Sequence, residues 1–409
     1  MAKVITRKDF KQAELFDRDP LDQVIRQEIR KAIEKTLKEE LDAALGASRY
    51  EHSEERLGYR HGPKSRELST SSGVTELDVP RARLFKKDGS TEEFQSQVLR
   101  RYKRRMKKVD DAILAIYLSG CNTRRVKQAL RPLLRGVPLS KSAVSRLVAG
   151  LKEQFEAWRT RTLGDEKIVY LYADAIHVKV RVAGRVCSIP VLASVGVRET
   201  GEKVLLSLEV RGSESTEAWR GILQDLSDRA MSRPELVIAD GGAGLLAAIQ
   251  TVWSGMPIQR CTVHKLRNLL SYAPLHAQEE LKEDYNKIVY AKTLEAALVA
   301  KESFLRKWNK RCPGAAKSLL EAGEHLFTFF KFPESQWKSL RTTNSIERVN
   351  EEFRRRVKTQ ASLPGEEAVT TVMYGLVASG QIKMRKIDGW EELRRGGAVK
   401  MGVEATVEA

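Results

Sequence analysis

Two aspartates in this chain of 409 residues stand directly after strongly apolar runs. Asp174 follows YLYA and Asp240 follows LVIA. Short apolar runs bounded by turn residues read as buried strands. An acid placed there costs desolvation unless a metal or a hydrogen-bond donor offsets it. Ends of neighbouring strands in a mixed sheet lie side by side, so the two carboxylates can meet although far apart in the chain. A third carboxylate from a nearby helix would complete an oxygen cage of the kind Mg²⁺ (or Mn²⁺) prefers. Two such ions, roughly 4 Å apart, suit phosphoryl transfer, because one activates the attacking oxygen and the other stabilises the leaving one. No side chain need then act as nucleophile. Each aspartate also has a plainer reading. Asp-Gly is a common turn dipeptide, and Asp174 can serve as a local hydrogen-bond acceptor.

The third acid is less determined by spacing. Asn344-Ser345-Ile346-Glu347 fits a capping box, with Asn344 as cap and Glu347 at the third helical position. Glu214, Glu217 and Glu351 compete with Glu347 for the third-ligand role. Cys261 and His264 form a C-x-x-H pair where a short strand passes into a helix. Structural zinc wants four ligands, and no second pair stands nearby. A buried cysteine that merely packs in the core is the bland alternative.

The elements expected to carry these residues follow from periodicity. Residues 165 to 262 alternate strands and helices: three or four strands in a meander, then helix, strand, helix. That order is the one expected of an RNase H-like α/β domain with a mixed sheet flanked by helices. Residues 263 to 335 read as helical throughout, and helices return in TTNSIERVNEEFRRRVKTQ and EEAVTTVMYGLVASGQ. The segment 110 to 157 reads as a helix-turn-helix unit. One helix ends at Gly120, a second starts at Thr123, and a third is capped by Ser140. Lys141, Ser142, Ser145 and Arg146 open that third helix, where a recognition helix meets base edges and phosphates. Residues 20 to 46 form one amphipathic helix stopped by Gly46, packing on its own domain or on a second copy. Residues 49 to 96 read as short strands about Ser72-Gly73, with no chemistry assigned.

The resulting organisation is a helical region at 1–48, a small strand-containing basic region at 49–108 and a helix-turn-helix domain at 109–160. An RNase H-like domain at 161–262 and 336–390 follows, split by a helical insertion at 263–335, with a tail at 391–409.

Composition narrows the partners. There are 72 Lys and Arg against 54 Asp and Glu, a net charge of +18. Such an excess points to a polyanion, most commonly nucleic acid; a merely basic soluble protein is the alternative. Residues 98 to 108 concentrate this charge around Tyr102, with Arg100, Arg101, Lys103, Arg104 and Arg105. They read as a phosphate-gripping strip or as one solvated helix face. Arg348, Arg354, Arg355, Arg356 and Lys358 follow Glu347 round one helix and can neutralise phosphates near a scissile bond. Four scattered cysteines, with no C-x-x-C pair, argue against a disulfide framework and a zinc ribbon. A reducing cytosol is the expected compartment. No run of 18 apolar residues exists, so no transmembrane helix is expected.

With these residues in view, the chain resembles the mutator-type transposases of bacterial insertion sequences. YADAIHVKVR (172–181) is similar to the family's first-Asp strand, and VIADGGAGLLAAI (237–249) to its second-Asp turn and helix. QRCTVHKLRN (259–268) is similar to its C-x-x-H signature, and RTTNSIERVNEEFRRR (341–356) to its Glu helix. ESTEAW (214–219) also resembles a family segment, while Ala173 and His177 vary positions near the first Asp. The resemblance implies that Asp174, Asp240 and Glu347 are a DDE triad and places Cys261 and His264 beside the active site, where they would position a strand or a transferred phosphate. It implies terminal inverted repeats and target DNA as double-stranded partners, a homodimer or larger synaptic assembly, and a possible circular intermediate. The rivals are a helix-turn-helix regulator without catalysis and a nuclease of the same fold that hydrolyses without joining.

Overall fold

The computed structural model describes residues 20–52, 54, 56–121, 125–126, 129–130, 139–358, 363 and 365–394. The chain divides into two compact units, Met1–Ala149 and Gly150–Ala409. In the first, helix α1 (Pro20–Leu45) ends at Gly46, whose φ of 64° is the left-handed stop that glycine tolerates. Its C-terminal half buries Leu37, Leu41 and Leu45 against a hairpin, while Val24 and Ile25 near its start are exposed. The amphipathic stripe is thus used over part of its length. The hairpin is β1 (Gly58–Thr70) and β2 (Gly73–Phe85), antiparallel with Thr70 opposite Gly73, and β3 (Thr91–Glu93) adds a short third strand.

The basic strip 98–108 is not a helix face. Residues 98–106 form no regular element, and helix α2 (Lys107–Leu118) begins only at its end. The Arg66 guanidinium donates to the carbonyls of Arg100 (2.8 Å) and Lys103 (2.6 Å), tying the strip to β1. Tyr102 is left 83 % exposed among the cations. The second helix of the expected helix-turn-helix lies largely outside the described residues. Helix α3 (Lys141–Arg159) is capped as expected, with the Ala143 N–H donating to Ser140 Oγ at 3.1 Å. Ser142, Ser145 and Arg146 on its first turns are exposed; the Lys141 side chain is outside the described set.

The second unit is mixed α/β. β4 (Ile168–Val182), β5 (Arg185–Arg198) and β6 (Lys203–Val210) make an antiparallel meander. Helix α4 (Thr216–Asp228) leads to β7 (Leu236–Ala239), helix α5 (Ala243–Val252) and β8 (Ile258–Arg260). β7 and β8 add parallel to the meander, giving the order β6-β5-β4-β7-β8. The first part of β4, up to Ile176, and all of β7 are buried on both faces, which is why YLYA and LVIA read as unbroken apolar runs; beyond it β4 alternates, with His177, Lys179 and Arg181 exposed. One face packs on α4 and α5 through Leu171, Ala173, Trp219, Leu223 and Ala248.

Every element from Thr262 to Leu340 is helical: α6 (Thr262–Tyr272), α7 (Gln278–Val289), α8 (Leu294–Arg311), α9 (Pro313–Glu321), α10 (Trp337–Leu340) and short 3₁₀ turns. They enclose a core around Tyr285, Phe304 and Trp308. The long helical reading breaks at Thr293, whose hydroxyl accepts the Ala296 N–H at 3.2 Å and starts α8. Helices α11 (Asn344–Lys358) and α12 (Glu366–Ala378) then return to the sheet, and α13 (Trp390–Arg394) follows. No helix among the described residues is long and apolar enough to cross a membrane.

Candidate active site

Asp174 does not end its strand, as the sequence suggested. It lies within β4, which runs eight residues further. The strand beside it ends instead: β7 stops at Ala239, paired with Ala173. Asp174 and Asp240 are the next residues of two parallel neighbours, so they share one level of the sheet. Among the described residues, β4 beyond that level pairs with β5 and, at Val180, with Leu363.

Asp174 is 8 % exposed and accepts a 2.7 Å hydrogen bond from Asn350 Nδ2 on α11. Burial, then the charge of Asp240, push its carboxyl up to about 6, and Glu347 adds to the rise against the opposing pull of His264. This is the signature of acids gathered in a poorly solvated place. Asp240 Oδ1 accepts the Gly242 N–H at 2.9 Å, so it is a turn residue as well. The turn needs Gly241, whose φ is 95°. The buried Arg260 guanidinium packs against Gly241, donating to Glu321 Oε1 (2.7 Å) and reaching the Gly241 carbonyl (3.4 Å). Lys265, 1 % exposed, donates to the other oxygen of Glu321 at 2.8 Å.

Glu347 is not held by a box closed at Asn344. The residue before the helix takes that place: the Ile346 and Glu347 N–H groups both bond the Thr343 carbonyl (2.9 Å each). The Thr343 hydroxyl lies 3.0 Å from Glu347 Oε1, 3.2 Å from Cys261 Sγ and 3.3 Å from His264 Nδ1. His264 Nε2 is 3.5 Å from Glu347 Oε1, and Arg267 Nη1 is 4.0 Å away. Cys261, fully buried, joins β8 to the start of α11 through Thr343. Burial pushes its thiol up, but hydrogen bonds from His264 and Thr343 outweigh this and hold it below the ordinary range. The hydrogen bond to Cys261 is the chief reason His264 is raised to about 9, ahead of the nearby charges of Cys261, Glu347 and Asp174.

Among the described residues, the group whose ligand atoms lie within 4.8 Å of one another is Cys261, His264 and Glu347, not the three carboxylates. Glu347 is drawn towards His264 and Thr343. It stands near Asp174 through its charge rather than through a shared contact. Its rivals are engaged elsewhere: Glu214 lies 3.6 Å from His177 Nδ1, Glu217 bonds Arg220, and Glu351 lines a groove on the flank of α11. Among the arginines after Glu347, Arg355 and Arg356 pair with Glu352.

The chain matches the family described as Transposase, Mutator family, over residues 2–384. It belongs to that family. Similar relatives are named as transposases of insertion sequence elements. The transposase for insertion sequence element ISRM5 of Rhizobium meliloti (strain 1021) is 34 % identical, over 91 % of this chain and 89 % of its own. The transposase for IS1081 of Mycobacterium tuberculosis (strain ATCC 25618 / H37Rv) is 31 % identical, over 89 % and 87 %. The transposase for IS256 in transposon Tn4001 of Staphylococcus aureus is 31 % identical, over 85 % of each.

Within this transposase framework, Asn350, Thr343 and Arg260 touch the acid cluster or its turn without having stood out in the sequence. One of them had a readable signal: Asn350 lies three residues beyond Glu347 and so shares its helix face. Asn350→Ala should leave the fold intact, cut activity roughly 10- to 100-fold, as loss of an orienting partner does, and move the acidic limb of the pH–rate profile upward. Removing a donor to the charged form raises a carboxyl's pKa. Reduced activity with an unmoved limb would mark Asn350 as structural only.

Proposed function

We propose that this protein is a DNA transposase whose carboxylates lie on an RNase H-like domain. It would cut strands at the terminal inverted repeats of an insertion sequence and join the freed ends to target DNA. The observation that carries this is Asp174: a buried carboxyl level with Asp240, raised to about 6 by burial and by its acidic neighbours. Three carboxylates offer hard oxygen donors, and their mutual repulsion is what divalent cations offset. Asp174, Asp240 and Glu347 would hold two Mg²⁺ or Mn²⁺ ions. Such ions supply Lewis acidity and a more acidic bound water.

The chain's own residues do the rest. Asn350 orients Asp174, the Gly241 turn aims Asp240, and Thr343 with His264 fixes Glu347. Arg348 and Arg354 can neutralise the phosphates on either side. In the reaction, water attacks a phosphodiester, the bond to the 3′ oxygen breaks, and a 3′-hydroxyl and 5′-phosphate result. That hydroxyl then attacks a phosphate of a second strand, releasing another 3′ oxygen. The Ser140-capped helix with Ser142, Ser145 and Arg146, and the strip Arg100–Arg105, would bind the ends. A homodimer or larger assembly would hold two ends together.

The test is a strand-joining assay on a duplex carrying the element's ends, with Mg²⁺ and a target plasmid. Joined product is expected. Hydrolysis with no joining would instead indicate a nuclease, and binding with neither product a regulator.

A further inference from the structure

A groove of about 400 Å³ opens on the flank of α11 beside the start of β6 and the segment 381–385. Five cationic side chains line it, Lys203, Arg348, Arg355, Lys383 and Arg385, against two carboxylates, Glu351 and Glu352. Glu352 is already taken by Arg355 and Arg356. Lys203, Arg348, Lys383 and Arg385 form no ion pair within 4 Å among the described residues, although Lys203 feels the charge of Asp388. The segment is anchored at both ends by buried isoleucines: the Ile382 N–H bonds the Leu376 carbonyl and the Ile387 N–H the Gly201 carbonyl. Lys383 and Arg385 between them are exposed.

We propose that this groove is a docking track for the backbone phosphates of DNA, separate from the carboxylates but carried on the same helix. It rests on the reading of the protein as a DNA transposase and assigns Lys203, Lys383 and Arg385 a part in it.

The electrostatics favour an anion. Lys203 is half-buried beside Arg348; burial is the main cause that holds its ammonium below the ordinary range, opposed by the charge of Asp388 and aided by that of Arg348. A fold that crowds cations without partners carries repulsion that a bound phosphate removes. Shape favours a polymer over a small ion. The groove is open, and Arg348 and Arg355 stand seven residues apart, about 10 Å along the helix axis. Cations spread over that length meet successive phosphates of a strand. Position ties the track to the chemistry, since Arg348 directly follows Glu347 and projects about 100° round the helix from it.

The test measures binding of the full-length protein to duplex DNA across a range of salt. Lys383→Gln/Arg385→Gln alters exposed residues and should not disturb folding. Each lost phosphate contact lowers the salt slope by about one. The double variant should therefore lose about two from the slope and bind roughly tenfold or more weakly at 0.1 M salt, for any sequence. A control with the same loss of charge, Arg220→Gln/Arg233→Gln, on and just after helix α4 against the opposite sheet face, should keep the wild-type slope. Equal slopes for wild type and the groove variant overturn the track, as does an equal fall in the control. Stabilisation of wild type by inorganic phosphate alone, with no slope change on duplex, marks a small-ion site and overturns it too. Wild type failing to bind any duplex sinks the transposase reading and the track together. Cleavage lost with groove binding intact bears on the carboxylates alone.

Discussion

Asp174→Asn is expected to abolish strand cleavage and joining while sparing DNA binding, and to make the metal-free protein more stable. The activity loss should be roughly a thousandfold or more, the scale of losing a preorganised electrostatic group at a reacting phosphate. Asp240→Asn should do the same, because both residues stand at one level of the sheet. The stability effect has the opposite sign. Asp174 is buried, and its carboxyl is raised from an ordinary 3.8 to about 6. A raised acid favours the folded state only while protonated. Its contribution is complete below about pH 4, falls through the window between 4 and 6, and is lost above that. At neutral pH the folded protein therefore carries an ionised group it would rather neutralise, a penalty on the order of 1–3 kcal/mol. The amide of asparagine removes the charge. Thermal unfolding of both proteins in chelator should show the variant melting higher at pH 7.5, with the gap closing by pH 4. Addition of Mg²⁺ should stabilise wild type and leave the variant unmoved. A variant that is inactive and also less stable at pH 7.5 would mean that Asp174 is a structural acceptor for Asn350, and the catalytic assignment would fail.

Much of this site was legible because two of its acids follow apolar runs. LVIA and YLYA announce buried strands by composition alone, and the strand ends set Asp240 where it is found. The register was not legible. Nothing local says that β4 continues through IHVKVRV while β7 stops at Ala239, since pairing partners decide where a strand ends. Composition alone therefore ends the strand at Asp174, eight residues before β4 stops at Val182. The capping residue slipped by one for a similar reason. Asn344 and Thr343 are both good caps by type, and the carbonyl that the first helical N–H groups reach settles the choice.

Long-range polar partners were the least readable. Glu321 reaches Arg260 and Lys265 across some sixty residues, and such a network leaves no periodic trace. The basic strip 98–108 shows the converse limit. Its charge was evident, but charge says nothing about backbone, and Arg66 from a distant strand holds the strip in a non-helical form. Glu347 could not be chosen from spacing at all. Its selection rested on resemblance, and the geometry adds that its helix delivers Asn350 to Asp174.

Gly241→Ala should be far more damaging than Gly242→Ala, although the residues are adjacent and both follow Asp240. Gly241 has φ 95°, a region that costs a residue with a Cβ about 1–3 kcal/mol. The new Cβ would also lie 2.3 Å from Arg260 Nε and 2.7 Å from its Cζ. An arginine tip usually yields, but this one is buried and held by Glu321 Oε1. Either the guanidinium leaves a pocket where it has no other acceptor of equal quality, or the turn carrying Asp240 shifts. Gly242 has φ −58° and its Cβ would approach nothing closer than 3.4 Å, the carboxylate of Asp240 itself. Alanine fits there with a small local adjustment. Unfolding should therefore fall by several degrees for Gly241→Ala, at about 2–4 °C per kcal/mol for a unit of this size, and by little for Gly242→Ala. Strand joining should drop roughly a hundredfold for the first, the cost of displacing a reacting group by about an ångström. Arg260→Ala added to Gly241→Ala separates the two causes. Clash relief should return part of the lost stability, whereas joining should stay low because the turn has lost its support. Equal behaviour of the two single variants would show that Arg260 does not brace the turn.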